Sequence, residues 1–187
     1  MTFESLVRIA TCAVSLVLLA CLIIAPSVAD DHENNEAESD GLSYVGIKDF
    51  TDLKAGEAPY YIDKWRDVLA INAGNVKFRD KWARATAEFT GADGTYDVVI
   101  TTIGEYDGEC TYRLYVDGEL IGELQNDAVD KSGDMKPQTH VWEGVSVKQG
   151  QTIGVESNLH TNGKIPEGDG TAWARGRWEK VDFKAAE

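Results

Sequence analysis

Residues 95–124 read TYDVVITTIGEYDGECTYRLYVDGELIGEL and leave little room for anything but antiparallel sheet. "TYDVVI" alternates with apolar residues partly on both faces, as a central strand does, and "YRLYV" alternates again. Asp117-Gly118 between "YRLYV" and "ELIGEL" is the tightest hairpin signal in the chain, because both central positions of such a turn need positive φ. The acidic run "GEYDGE", Gly104 to Glu109, reads as the loop between one strand and the next.

The pattern continues on both sides. "ARATAEF" places Ala83, Ala85, Ala87 and Phe89 on one side of a half-buried strand and Arg84, Thr86 and Glu88 on the other. "THVWEGVSV" is read with Val141, Val145 and Val147 on one side and His140, Trp142 and Ser146 on the other. "TIGVESN" turns Ile153 and Val155 inward, and "RWEKVDF" closes the chain with Val181 and Phe183 sharing a face. Earlier, "LSYVGIKDF" reads as a short edge strand, and residues 59–71 as two strands, with a single helical turn near Lys64 to Asp67 as the alternative. Strands about ten residues apart, separated by turn signals and with almost no helix, predict an all-β, antiparallel β-sandwich of jelly-roll type over residues 42–187.

Two appendages precede that domain. Ile9 to Ala29 carries no charge and ends in the small-residue pattern Ser27-Val28-Ala29, so residues 1–29 read as a signal peptide cleaved before Asp30. Lipidation at Cys21 within "LLAC" and an uncleaved anchor are the alternatives. All three make the domain exported: secreted, periplasmic or on the cell surface. Residues 30–41 hold Asp30, Asp31, Glu33, Glu36, Glu38 and Asp40 with no Lys or Arg, the composition of a disordered acidic tether.

Of three cysteines, Cys12 and Cys21 lie in the targeting segment, so Cys110 has no partner within the domain and reads as a small buried hydrophobe. Stability must come from a core, and a domain of roughly 145 residues can bury about two-thirds of its unfolded surface. The formal net charge is −14. Setting the tether's carboxylates aside leaves about −8 on the domain, a surface that repels phosphate backbones and argues against nucleic acid as a partner.

The order "GTYDVVI", "YRLYVDGELIG", "VKQGQTIGV" and a terminal strand bearing an Asp resembles the galactose-binding-like β-sandwich, in particular the carbohydrate-binding modules of that group. The resemblance runs from Ala87 to Phe183. It implies a poly- or oligosaccharide partner held by loops at one end of the sandwich, with aromatic side chains and an Asn or acidic residue before the last strand. The loop leading into that strand offers Asn158, His160, Asn162, Glu167, Asp169, Trp173 and Arg175. The group's usual Glu-Ala-Glu opening, which helps hold calcium, is not recognisable, with Glu57-Ala58 its nearest fragment.

Sugar binding needs a flat apolar platform for the C–H face of a ring and a few fixed polar groups around it. Trp142, Trp173 and Tyr106 are the platform candidates, and Asn158, His160, Asn162 and Arg175 the polar ones. Trp65, Trp82 and Trp178 are assigned to packing. Glu105, Asp107 and Glu109 gather carboxylates on one loop and are the candidate calcium ligands, a hard cation wanting several oxygens on a bent loop; a solvated acidic loop is the alternative. No G-x-S-x-G or H-E-x-x-H occurs, and no Cys-His pairing lies near Cys110, so the expectation is a non-catalytic binding domain. A cell-envelope protein with a protein partner and a polysaccharide-cleaving jelly-roll enzyme are the two alternatives.

Overall fold

The computed structural model describes residues 41–187. The predicted signal peptide and all but the last residue of the predicted tether lie outside the described residues. Two antiparallel sheets face each other. The first contains β1 (Leu42–Val45), β2 (Tyr60–Asp63), β3 (Val68–Ile71), β5 (Gly94–Ile103), β8 (Pro137–Val147) and β12 (Trp178–Ala185). Its order is β2-β3-β12-β5-β8, with β1 also laid along β12. The second holds β4 (Trp82–Glu88), β6 (Thr111–Val116), β7 (Glu119–Gln125) and β9 (Thr152–Asn158) in the order β4-β9-β6-β7. A two-residue ladder, β10 (Pro166–Glu167) with β11 (Gly170–Thr171), stands apart in the loop before β12. Among the described residues no helix is long and apolar enough to cross a membrane.

The sandwich exists because alternation supplies each sheet with one apolar face. From the first sheet Leu69, Ile71, Val98, Ile100, Val181 and Phe183 point inward; from the second come Ala83, Ala85, Tyr112, Leu114, Ile153 and Val155, and all are buried. The small β4 residues let the aromatic side chains of the facing sheet and its loops fill the gap between sheets, in the interdigitated manner of aligned sandwiches. Phe89, Tyr96 and Phe183 meet edge-on or tilted there, with ring centroids 4.9–5.9 Å apart. Cys110 is buried and free within this core.

Asp117 and Gly118 take φ of 48° and 82°, so the hairpin joining β6 to β7 forms where the Asp-Gly pair predicts it. Asp117 also binds the neighbouring turn, its carboxylate accepting from Thr152 N at 2.8 Å and from Gln151 Nε2 at 2.9 Å. Residues 95–124 nevertheless do not build one sheet. β5 sits in the first sheet and β6 and β7 in the second, so residues 104–110 cross between sheets at one end of the sandwich.

β8 departs from its predicted facing. The ladder with β5 shifts between Tyr96 and Val98, and Gly144 takes φ of 65° while its N–H donates to Asp97 Oδ1 at 3.0 Å. That bulge inserts one residue and flips the side chains on one flank. Trp142 is therefore in the core at 7% exposure, and Val141 is turned out at 48%. Gly122 makes the space: a Cβ there would lie 2.8 Å from Trp142 Cδ1.

Candidate ligand-binding cleft

At the end where residues 104–110 cross, three further loops converge: the β2–β3 turn, residues 126–136 and residues 159–177. They enclose an open cleft of about 560 Å³, within the usual size range of small-ligand sites. Its wall carries Asp63, Trp65, Glu105, Tyr106, Asp107 and Arg175, among others.

The β2–β3 turn is built by Asp63. Its Oδ1 accepts from Trp65 N at 3.2 Å, its carbonyl accepts from Arg66 N at 3.1 Å, and Asp67 takes positive φ to return the chain into β3. Residues 64–67 are a turn and not a helical one. The geometry leaves Trp65 with no core to pack on, and it is 95% exposed. A large exposed indole at the rim of a cleft is an apolar surface awaiting a partner.

The floor is ionic. Glu105 is 1% exposed; its Oε1 accepts from Arg175 N at 2.9 Å and Arg177 N at 3.4 Å, and its Oε2 accepts from Arg177 Nη1. Arg177 also donates from Nε to Asp63 Oδ2 at 3.0 Å. Burial pushes the Glu105 carboxyl up to about 7, with the Arg177 guanidinium opposing and the charge of Asp107 adding. Burial works against Asp63 as well, but the hydrogen bond and charge of Arg177 hold that carboxyl below its ordinary value. Arg177 itself is disfavoured by burial, yet Glu105 and Asp63 more than offset this and raise it.

Above the floor, Asp107 Oδ1 is buried with no hydrogen-bond partner, and burial raises the Asp107 carboxyl. Arg175 donates from Nη1 to Tyr61 OH at 3.0 Å. The cleft thus offers an aromatic face, the partly exposed Asp107 carboxyl and a guanidinium with donors to spare, the set that a polyhydroxylated ring can use.

Sequence reasoning placed some of these residues and misplaced others. Tyr106 and Arg175 line the cleft. Asn162 stands behind it as a clamp: its Nδ2 donates to the Tyr106 carbonyl at 3.0 Å and its N–H to the Asp107 carbonyl at 2.9 Å. Asn158 accepts from Thr111 N at 2.9 Å at the end of β9, a bond within the scaffold. His160 Nδ1 accepts from Glu109 N at 3.0 Å, which holds the crossing loop from the rear. Trp173 is half-buried against the core under Arg79, whose guanidinium lies 5.0 Å from the ring centroid. Trp142, read as a platform candidate, is corrected to the core by the bulge described above.

The carboxylate trio divides. Glu105 and Asp107 line the cleft, while Glu109 turns to His160, 3.5 Å away. Among the described residues no three His, Cys, Asp or Glu side chains are placed to hold a metal ion. Glu57 pairs with Lys81 at 2.8 Å on the surface. Asp63 and Arg177 were not among the candidates, and Trp65, assigned to packing, is corrected to the exposed rim of the cleft. Trp65 had a signal: a Trp flanked by Asp63, Lys64, Arg66 and Asp67 has charges on both sides, unlike a core residue. Arg177 and Asp63 had none, being 114 positions apart.

A second concavity, about 540 Å³, lies on the outer face of the four-stranded sheet. There Arg113 stacks on Trp82 at 3.5 Å and Arg84 on Tyr115 at 3.8 Å. Between them Glu156 accepts from Arg84 Nε at 2.9 Å and from Tyr115 OH at 2.9 Å.

The architecture is that of the antiparallel β-sandwich found in carbohydrate-binding modules. The β-(1,4)-mannanase GH26-CBM35 of Podospora anserina superposes with a TM-score of 0.50 at 12% identity, over 80% of this chain and 28% of that one. The carbohydrate-binding module CBM36 in complex with calcium and xylotriose gives a TM-score of 0.45 at 11% identity, over 76% of this chain and 99% of that one. In sequence, the chain is 31% identical over 116 residues to uncharacterized protein P23 of Formosa agariphila, which covers 62% of this chain. It spans a quarter (25%) of that relative's length. No protein-family model matches the chain.

Proposed function

We propose that this chain is an exported, non-catalytic carbohydrate-binding domain that takes an oligosaccharide or polysaccharide end in the loop cleft. The observation that carries the reading is Trp65, 95% exposed at the rim of a cleft whose wall also holds Tyr106, Arg175 and Asp107. A sugar ring stacks its C–H face on the indole, its hydroxyls donate to Asp107 and accept from Arg175, and Tyr106 closes the opposite side. The sandwich fold shared with carbohydrate-binding modules is in keeping with this, and the uncharged segment Ile9 to Ala29 supports export.

In support of the non-catalytic part, the most buried carboxyl of the cleft, Glu105, is held by Arg177 and by backbone N–H groups as part of the scaffold of the site. Glycan-array and affinity-gel binding of residues 30–187 tests the reading, with Trp65→Ala and Arg175→Ala as variants. Retention on at least one glycan, lost in both variants, is the expected result. Retention by neither parent nor variants, or retention indifferent to both changes, overturns it. Release of soluble product from a bound polysaccharide overturns the non-catalytic part alone.

A further inference from the structure

Two carboxylates flank Arg177 at the floor of the cleft, the partly buried Asp63 from the end of β2 and the buried Glu105 from the start of the crossing loop. Left alone, such a pair does not stay ionised away from water; it needs a cation, and proteins supply either a divalent metal or a basic side chain. Here the cation is Arg177. It reaches Asp63 with Nε at 3.0 Å and Glu105 with Nη1, and its side chain is more buried than that of Asp63 and less than that of Glu105. The second oxygen of Glu105 is taken by the N–H groups of Arg175 and Arg177, which uses up the coordination a metal would require. Asp107 and Glu167, the other carboxylates on the wall, complete no metal-binding group among the described residues.

We infer that the Arg177 guanidinium does at this floor what a divalent cation would do, so that the cleft is assembled and takes its ligand without calcium. A guanidinium suits the role because it is planar, holds two partners in fixed directions and stays charged at every physiological pH. It also ties the three elements that shape the cleft, since Asp63 sets the turn bearing Trp65, Glu105 sets the crossing loop, and Arg177 leads directly into β12. The inference concerns the same cleft as the proposed function, and only its last arm rests on that reading.

Thermal unfolding and terbium luminescence test it without any glycan. The wild-type midpoint stays unchanged between chelator and millimolar calcium, and terbium gives no sensitised emission. Arg177→Gln empties the cation's place between two carboxylates, so calcium raises its midpoint by roughly 5–10 °C at a hundredfold excess over the dissociation constant, and terbium lights up. Arg177→Lys retains a cation and remains indifferent to calcium, which keeps the test open if the Gln variant is found only unfolded.

A calcium-dependent wild-type midpoint overturns the inference. So does a folded Gln variant that takes neither ion, or a Lys variant that responds as strongly as the Gln one. These outcomes leave glycan binding standing. In the last arm, wild-type gel retention on a bound glycan is the same in chelator and in calcium; retention abolished by chelator overturns the inference, whereas absence of retention in both strikes the functional proposal.

Discussion

The loop cleft and the outer face of the four-stranded sheet are built from the same side chains, Trp, Tyr, Arg and carboxylate, and they do opposite things with them. On the sheet face the aromatic and charged groups partner one another: Arg113 of β6 reaches across β9 to cover Trp82 of β4, Arg84 of β4 covers Tyr115 of β6, and Glu156 of β9 sits between the two arginines. In the cleft the ionic groups are satisfied at the floor, while Trp65 and Asp107 Oδ1 at the wall are not. The sheet holds β4, β9 and β6 in fixed register, so long Arg side chains of the outer two strands reach across the middle one to complementary partners. Loop residues are placed by backbone hydrogen bonds, which can hold an indole away from everything. Composition therefore does not identify a binding surface; unsatisfied groups do.

The sharpest way to break this comparison is to attack the floor. Arg177→Ala leaves Asp63 and Glu105 unpaired, and a loss of about 3–5 kcal/mol in stability is expected, read by denaturant unfolding. An effect below about 1 kcal/mol would mean that the floor is not what holds the loops.

pH separates Glu105 from its neighbours. Its folded value of about 7 lies above the ordinary 4.5, so the folded state binds a proton that the unfolded state releases. That contribution is fully present below about pH 4.5 and is lost as pH rises through about 7. Asp63, whose value is lowered, contributes in the opposite sense, and its share is lost only in acid, below the ordinary carboxylate range. Glu105→Gln removes Glu105's share of the first slope, leaving that of Asp107, which burial also raises. Wild type loses up to about 3 kcal/mol relative to this variant between pH 4.5 and pH 7.5; parallel pH–stability curves for the two proteins would contradict the assignment.

The rim and the sheet face then separate binding from stability. Trp65→Ala costs about 2 kcal/mol of glycan affinity, roughly thirtyfold in Kd, and leaves the unfolding midpoint unchanged, since its indole is exposed. Trp82→Ala does the reverse. It costs about 1 kcal/mol of stability by uncovering Arg113 and leaves affinity where it was. If the two variants exchanged phenotypes, the sheet face would be the binding surface.

How much of this was legible varied with the kind of contact. Period-two alternation placed Ala83, Ala85 and Ala87, and likewise Ile153 and Val155, on the buried face, because one strand carries its own facing in its spacing. The same reasoning failed at Trp142, where one bulged residue inverts everything on one side of it. Gly144 within a strand was the available signal. The segment before β12, read as a loop, carries the short β10–β11 ladder, and of its candidates Asn158, at the end of β9, His160 and Asn162 bind backbone. Side chains that clamp a site and side chains that touch a ligand are of the same polar types, and sequence does not separate them.

The sequence by itself determined the strands, the Asp117-Gly118 hairpin, the solitary Cys110 and the sandwich class, all of which follow from residues near one another in the chain. Tertiary structure decided that residues 95–124 divide between two sheets, that Trp142 is core and Trp65 is not, and that Arg177 closes a cation's place between Asp63 and Glu105. The Trp142 and Arg177 outcomes depend on groups 20 to 114 positions apart. No local pattern encodes such pairings, because the energy that selects them exists only once the sheets have docked and water has left the floor of the cleft.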